Sequence, residues 1–216
     1  MKQNIDRVGI MGRKLGMTQA FDEAGHLVGL TVLSCEPGMV VRCKTSNQEG
    51  YEAIQVGFVE VPAHKLNKPN VGHFKKHLKG KVFYKELCEF RVSSSTSYQV
   101  GQALTVDAFK PGQRVDIIGR SKGKGFQGTV KRHKFTRGPE THGSKNVRPP
   151  GSIGSSAFPS RVLKGKRMPG HMGNRNVTII GLRIHAVDPE KHLIFVEGAV
   201  PGARNNLVTI RPSTRA

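Results

Sequence analysis

Tryptophan is absent from this chain, and aromatic residues make up only 6% of its 216 residues. Hydrophobic residues reach 36%, below the usual share for a globular domain, so part of the chain is expected not to pack. No stretch approaches the ~18 apolar residues that a membrane helix needs. Met1 to Arg7 holds Lys2, Asp6 and Arg7 without an apolar run, which reads as no signal peptide. Cysteine is scarce and odd in number, with Cys35, Cys43 and Cys88 at no metal-ligand spacing. Nothing in that pattern suggests a disulfide framework, and a reducing, cytoplasmic setting is expected. Acidic residues are also few: 15 Asp and Glu face 35 Lys and Arg, a formal net charge of +20. A solubilising surface normally mixes both signs. A charge this one-sided calls for a polyanionic partner, of which nucleic acid is the commonest.

The cations are unevenly placed. Gly119 to Asn176 contains fourteen Lys and Arg and one acid, Glu140, a net of +13. The rest of the chain carries only +7. The basic stretch also has eleven glycines and five prolines and shows neither helical nor strand periodicity over most of its length. A long irregular segment of this kind is functional or disordered. Like charges keep such a segment extended in water, so it is expected to fold only against its partner.

The remainder reads as mainly β. Leu27–Ser34, Met39–Cys43, Tyr51–Val59, Ala103–Val106, Arg114–Ile118, Val177–Ile184, His192–Val196 and Leu207–Ile210 are short runs rich in Val, Ile, Leu and Thr. Turn signals separate them, including Asp22-Glu23-Ala24-Gly25, Pro111-Gly112 and Asp188-Pro189-Glu190-Lys191. Many short strands at this spacing suggest a barrel or sandwich. A basic excursion interrupts them at residues 62–86, with a short helix expected over Val71–Lys79 and a stop at Gly80. The organisation expected is a barrel from residues 1–118 and 177–216, with an extended basic loop at 119–176.

Several motifs imitate chemistry without completing it. Gly123 to Gly128 spells G-x-G-x-x-G after a strand, but no sustained helical pattern follows, and Glu140 comes too early to meet a ribose. The better reading is a glycine–lysine strip, in which Gly123 and Gly125 let backbone approach phosphates that Lys122 and Lys124 neutralise. His73 and His77 have half a metal spacing, yet Lys75 and Lys76 between them would repel a cation, so a basic helix face touching RNA is the reading taken. His133, His142 and His171 lack an orienting carboxylate other than Glu140. Ser121, Ser144, Ser152, Ser155 and Ser156 have no recognisable base. No catalytic residue, metal site or cofactor is therefore assigned. Phe126 and Phe135 read as apolar anchors, and Phe158 is open between anchoring and stacking on a base. Arg161 to Gly170 alternates bulk, charge and glycine as a phosphate-contacting strip.

From near Val8 almost to the C-terminus, the chain resembles the bacterial form of the ribosomal protein L3 family. The resemblance rests on Gly12-Arg13-Lys14-Leu15-Gly16-Met17-Thr18, Lys68-Pro69 with Gly72-His73-Phe74, Ser121 to Gly128, Lys131-Arg132, and Thr141-His142-Gly143-Ser144. It continues through Pro150-Gly151-Ser152-Ile153-Gly154, Lys164-Gly165, Met168, Gly170, Met172-Gly173 and Gly198-Ala199-Val200-Pro201-Gly202. The resemblance implies a translation-factor-like β-barrel with a small helical excursion and a long basic loop that penetrates RNA. It implies a structural part in the large ribosomal subunit, early assembly, and a loop tip at Lys145 to Ala157 near the peptidyl transferase centre. The partners implied are large-subunit ribosomal RNA and neighbouring large-subunit proteins, with no membrane and no small-molecule substrate. Some bacterial members carry a methylated glutamine in the tip. Ala157 stands in its place here, so that modification is expected to be absent.

On this reading the RNA contacts fall to Arg13 and Lys14 in the opening motif, and to Lys68, His73, Lys75 and Lys76 in the excursion. In the first half of the loop they fall to Arg120, Lys122, Gly123, Lys124, Gly125, Lys131, Arg132, His133, Lys134 and Arg137. His142, Lys145, Arg148, Ser152, Ser155 and Ser156 serve around the tip. Arg161, Lys164, Lys166, Arg167, His171 and Arg175 serve on the return. Two rival classes are a small nucleotide-binding enzyme using Gly123 to Gly128 and a DNA-coating architectural protein.

Overall fold

The computed structural model describes residues 8–214, so the lead Met1 to Asp6 and its role lie outside the described residues. Twelve strands follow one another along the described chain: β1 Ile10–Phe21, β2 Leu27–Ser34, β3 Gly38–Lys44, β4 Ala53–Glu60, β5 Tyr84–Arg91, β6 Ala103–Leu104, β7 Arg114–Arg120, β8 Phe126–Gln127, β9 Gly170–His171, β10 Asn176–Asp188, β11 Leu193–Glu197 and β12 Leu207–Pro212. Three α-helices join them: α1 Ser46–Glu49, α2 Lys68–Leu78 and α3 Thr129–His133. The described residues divide into two compact units, 8–120 with 176–214, and 121–175.

In the first unit, six antiparallel strands pair in a closed ring, β1-β12-β7-β10-β11-β2 and back to β1. Closure leaves those strands no shared free edge over their paired lengths. The ring fills with Ile10, Leu33, Val115, Ile117, Ile184, Ile194, Val196, Val208 and Ile210. These positions alternate along their strands, as a sheet with one buried face requires. The pairing of the long strand β10 with β7 is irregular around Gly181, where the register shifts between Ile179 and Leu182. Gly181 has φ +75, a value that glycine adopts without steric cost. Its N–H donates to Oδ1 of the buried Asp116 at 3.1 Å, so the irregularity leaves no orphaned donor there.

Met39–Cys43, Tyr51–Val59 and Ala103–Val106 were expected as barrel strands, and the structure corrects this. They become β3, β4 and β6 of a separate four-stranded sheet ordered β5-β4-β3-β6. One face of that sheet, through Val40, Ile54, Val56, Phe58 and Phe90, shares the barrel's core cluster. Against Val41 and Tyr84 pack Phe74 and Leu78 of α2, one helical turn apart on one stripe. Helix α2 begins three residues earlier than expected because Pro69, at its first turn, lacks an N–H where none is needed. It ends at Lys79, which takes the left-handed conformation with φ 54.

Candidate nucleic-acid interface

Unit two starts with a zipped neck. Outgoing and returning chains run antiparallel, with Ser121 N to Arg175 O at 2.9 Å, Asn174 N to Ser121 O at 3.1 Å, Lys124 N to Met172 O at 2.9 Å and Met172 N to Gly125 O at 3.0 Å. Pairing then continues as Phe126↔His171 and Gln127↔Gly170. The approach is close because residue 173 is glycine. An ideal Cβ there would sit 2.2 Å from the Lys122 carbonyl oxygen, and φ is +75. The segment expected to be irregular thus carries a two-stranded ladder and the short helix α3. The periodicity was invisible because each element is only two to five residues long.

Beyond the neck, backbone carbonyls are satisfied by basic side chains. Arg132 Nη1 donates to the Met168 carbonyl at 2.6 Å. His133 Nε2 lies 3.1 Å from the same oxygen, and since a carbonyl only accepts, that nitrogen carries the proton. These two sequence-picked cationic or polar groups therefore tie the return strand to α3. Gly138 N donates to Val147 O at 3.0 Å and closes a further loop. At the tip, Ser152 Oγ donates to Gly154 O at 3.1 Å, and Ser160 Oγ donates to the Ala157 carbonyl.

The other cations face outward. Of the thirteen Lys and Arg in residues 121–175, all except Arg132 are exposed, and Glu140 is the only carboxylate in the unit. Glu140 sits 2.6 Å from Arg137 with both side chains more than half exposed, an arrangement worth little in water. Lys122, Lys124, Lys131, Lys134, Lys145, Arg148, Arg161, Lys164, Lys166, Arg167 and Arg175 have no carboxylate within the unit to neutralise them. His142, His171, Ser155 and Ser156 are exposed as well. At Gly125 and Gly128 no atom beyond the adjoining residues lies within 4 Å of where a Cβ would stand, so backbone is open at both positions, at Gly125 next to Lys124. An open cleft of about 760 Å³ lies within this unit, with Lys134, Phe135, Arg137, Pro149, Pro150 and Arg167 among its walls.

Two aromatic expectations are corrected or refined. Phe126 is 77% exposed and anchors nothing, and Phe158 is 85% exposed. Phe126 lies in β8, whose pairing uses only its backbone. Phe135 is half-buried, with its ring centroid 6.1 Å from that of His133. Ile153, Val162 and Leu163, given no role of their own above, are apolar residues exposed on this unit. Their only signal was bulk placed among glycines and cations.

The first unit holds the remaining candidates, and they are less uniform. Lys14 Nζ donates to the Val200 carbonyl at 2.8 Å, so it braces the Gly198 to Gly202 segment between β11 and β12. Arg13 Nη1 approaches Asn205 O at 3.5 Å. Lys68, Lys75 and Lys76 are exposed on α2. His73 is not, because its Nε2 meets Gln55 Oε1 of β4 at 2.8 Å. Burial, with Arg42 and Lys76 nearby, holds the His73 imidazole below its ordinary pKa. The ring of His77 lies 4.7 Å from it and is lowered too, by burial and then by His73, Arg42 and Lys76. Both rings therefore favour the neutral form, and the cationic face of α2 is its lysines. Arg120 is exposed at the end of β7. Among the described residues, no group of three or more His, Cys, Asp or Glu could hold a metal, and no helix is long and apolar enough to cross a membrane.

Comparison with known proteins places these features in a family. The model described as "Ribosomal protein L3" matches residues 91–192. The chain is 47% identical over 207 residues to the large ribosomal subunit protein uL3 of Syntrophobacter fumaroxidans, covering 96% of this chain and 98% of that protein. It is 50% identical over 206 residues to uL3 of Thermosynechococcus vestitus, covering 95% and 96%. It is 47% identical over 206 residues to uL3c of Phaeodactylum tricornutum, covering 95% and 99%.

Proposed function

The chain belongs to the ribosomal protein L3 family, and from that premise we propose that it binds large-subunit ribosomal RNA through residues 121–175 and supports early assembly of the subunit. The family consists of structural constituents of the large ribosomal subunit rather than enzymes. Its place is the ribosome in the cytoplasm. The observation that carries the finer reading is the exposure of twelve cations in one unit against a single carboxylate. Such a surface gains from each phosphate it neutralises, because condensed counterions are released. Open backbone at Gly125 and Gly128 adds close approach to the same phosphates. Little base reading is needed; RNA shape and phosphate spacing suffice for most of the contact.

In this proposal the ring of six strands is a barrel of the translation-factor type that carries the basic unit as an RNA-penetrating extension. The tip, Lys145 to Ala157, lies nearest the peptidyl transferase centre and shapes its surroundings. Neighbouring large-subunit proteins complete its partners. The test is sedimentation of a lysate in low and then high salt. Stoichiometric migration with the large subunit through the salt wash is expected. Migration near the top of the gradient in both salts would sink the reading. With isolated components, the log of affinity for large-subunit RNA should fall against log salt by roughly 0.7–0.9 per phosphate contact. Equal affinity for duplex DNA at near-physiological salt would favour an architectural DNA-coating role instead.

A further inference from the structure

Phosphate contact explains the exposed cations, but it does not explain the concave cleft of about 760 Å³ within residues 121–175. A strip that only follows an RNA backbone needs no hollow of this kind, open as it is to solvent. The cleft falls in the size range of small-ligand sites, roughly 300–1,000 Å³. Its walls combine two kinds of group. Lys134, Arg137 and Arg167 supply three cations, and no carboxylate lines it. Phe135, Pro149 and Pro150 supply flat apolar surface. Phe135 is half-buried, so its ring is braced yet still presents area to the cleft.

The walls are held from behind. Gly138 N donates to Val147 O at 3.0 Å, which ties the 134–138 wall to the segment leading into Pro149 and Pro150. Arg132 and His133 both meet the Met168 carbonyl, which ties α3 beside Arg167. A site whose supports are already made spends less ordering free energy on binding. Arg137 is also paired with Glu140 at the surface, so its guanidinium is held near the cleft by a contact weak enough for a phosphate to displace.

Cations around a braced aromatic and two prolines match one ligand class. We propose that this cleft receives a single looped-out nucleotide of the large-subunit RNA, its base against Phe135 and its flanking phosphates on Lys134, Arg137 and Arg167. The inference rests on the RNA-binding reading above and makes it specific: the arm holds an unstacked base as well as a backbone. Single-stranded and bulged RNA is recognised in this way, with extruded bases laid on aromatic rings.

The test uses the full-length chain and an in-vitro transcript of the large-subunit RNA from the same organism, with affinity measured across a salt series. Phe135→Ala and Phe135→Leu should each weaken binding about tenfold to a hundredfold, the size of one base–aromatic stack. The slope against log salt should stay unchanged, because no charge is removed. Phe135→Trp should retain most of the affinity. Arg167→Ala should lower both affinity and slope, the latter by roughly 0.7–0.9. If Phe135→Leu binds like the parent while Phe135→Ala does not, Phe135 merely packs and the proposal is overturned. If neither variant weakens binding, it is overturned too, while RNA binding by the arm stands. If the parent chain itself fails to bind the transcript, the broader RNA-binding reading has failed.

Discussion

Replacing Gly173 by alanine tests whether the neck organises the basic unit. The added methyl would meet the Lys122 carbonyl oxygen at 2.2 Å, and backbone on both sides cannot swing away as a side chain can. The φ of +75 costs an L-residue about 1–2 kcal/mol. Relieving the overlap separates the strands at Asn174 N to Ser121 O and Met172 N to Gly125 O, each worth about 0.5–1.5 kcal/mol net. The neck therefore loses about 2–5 kcal/mol of resistance to opening. At 1.4 kcal/mol per tenfold, the amides of Lys124 and Met172 should exchange hydrogen from about 30-fold faster upward. Amides of Ile117 and Val208, in the barrel strands, should keep their protection. A change of less than about threefold at Lys124 and Met172 would refute this, as would equal acceleration at Ile117 and Val208.

Deletion of residues 138–160 should leave the strand signal in circular dichroism and the thermal midpoint of the remaining chain near their parent values, while RNA affinity falls; an unfolded variant would contradict that division of labour. Ile117→Ala, at a fully buried barrel position, should cost about 2–5 kcal/mol in denaturant melts. A loss under about 1 kcal/mol would show a core far looser than described. Glu52 faces the Ser95 hydroxyl and accepts hydrogen bonds from Ser46 N at 3.0 Å and from Ser95 N at 2.7 Å, and these together hold its carboxyl down to about 2 from an ordinary 4.5. A lowered folded value means that Glu52 contributes stability above pH 4.5 and loses it as pH falls towards 2. Glu52→Gln should therefore melt lower than the parent at pH 7, with the gap closing through that acid window; a gap of constant size would contradict the assignment.

Much of this architecture was legible in composition and local pattern. The bounds of β2 were readable because Leu27–Ser34 is rich in Leu, Val and Thr between turn signals. Strands β1 and β5 escaped for physical reasons. In β1, Gly12 and Gly16 and two consecutive cations, Arg13 and Lys14, hide the alternation. In β5, an edge strand of its sheet, Lys85, Glu86, Glu89 and Arg91 leave few β-branched residues, as edge strands that avoid sticking require. The split into a ring and a separate sheet was unreadable because it depends on pairings between residues far apart in sequence. In the basic unit, residue identities showed the excess of cations over carboxylates directly. What they could not convey was which cations are already engaged: Arg132 and Lys14 are spent on carbonyls of Met168 and Val200, and only three-dimensional proximity reveals that.

The position of β12 in the ring sets an order of events during synthesis. Its partners are β1, with Ile10 beside Ile210, and β7, with Ile117 beside the same residue. Both barrel neighbours of β7, β10 and β12, lie beyond Arg175. A chain leaving the ribosome at roughly 5–20 residues per second finishes β7 and then spends about 3–11 s making residues 121–175 before either neighbour exists. Pairings this remote in sequence close slowly even once the strands are present. On the RNA-binding function proposed above, the basic arm meets RNA while its own scaffold is still open, so capture by RNA and closure of the ring are competing clocks on the nascent chain.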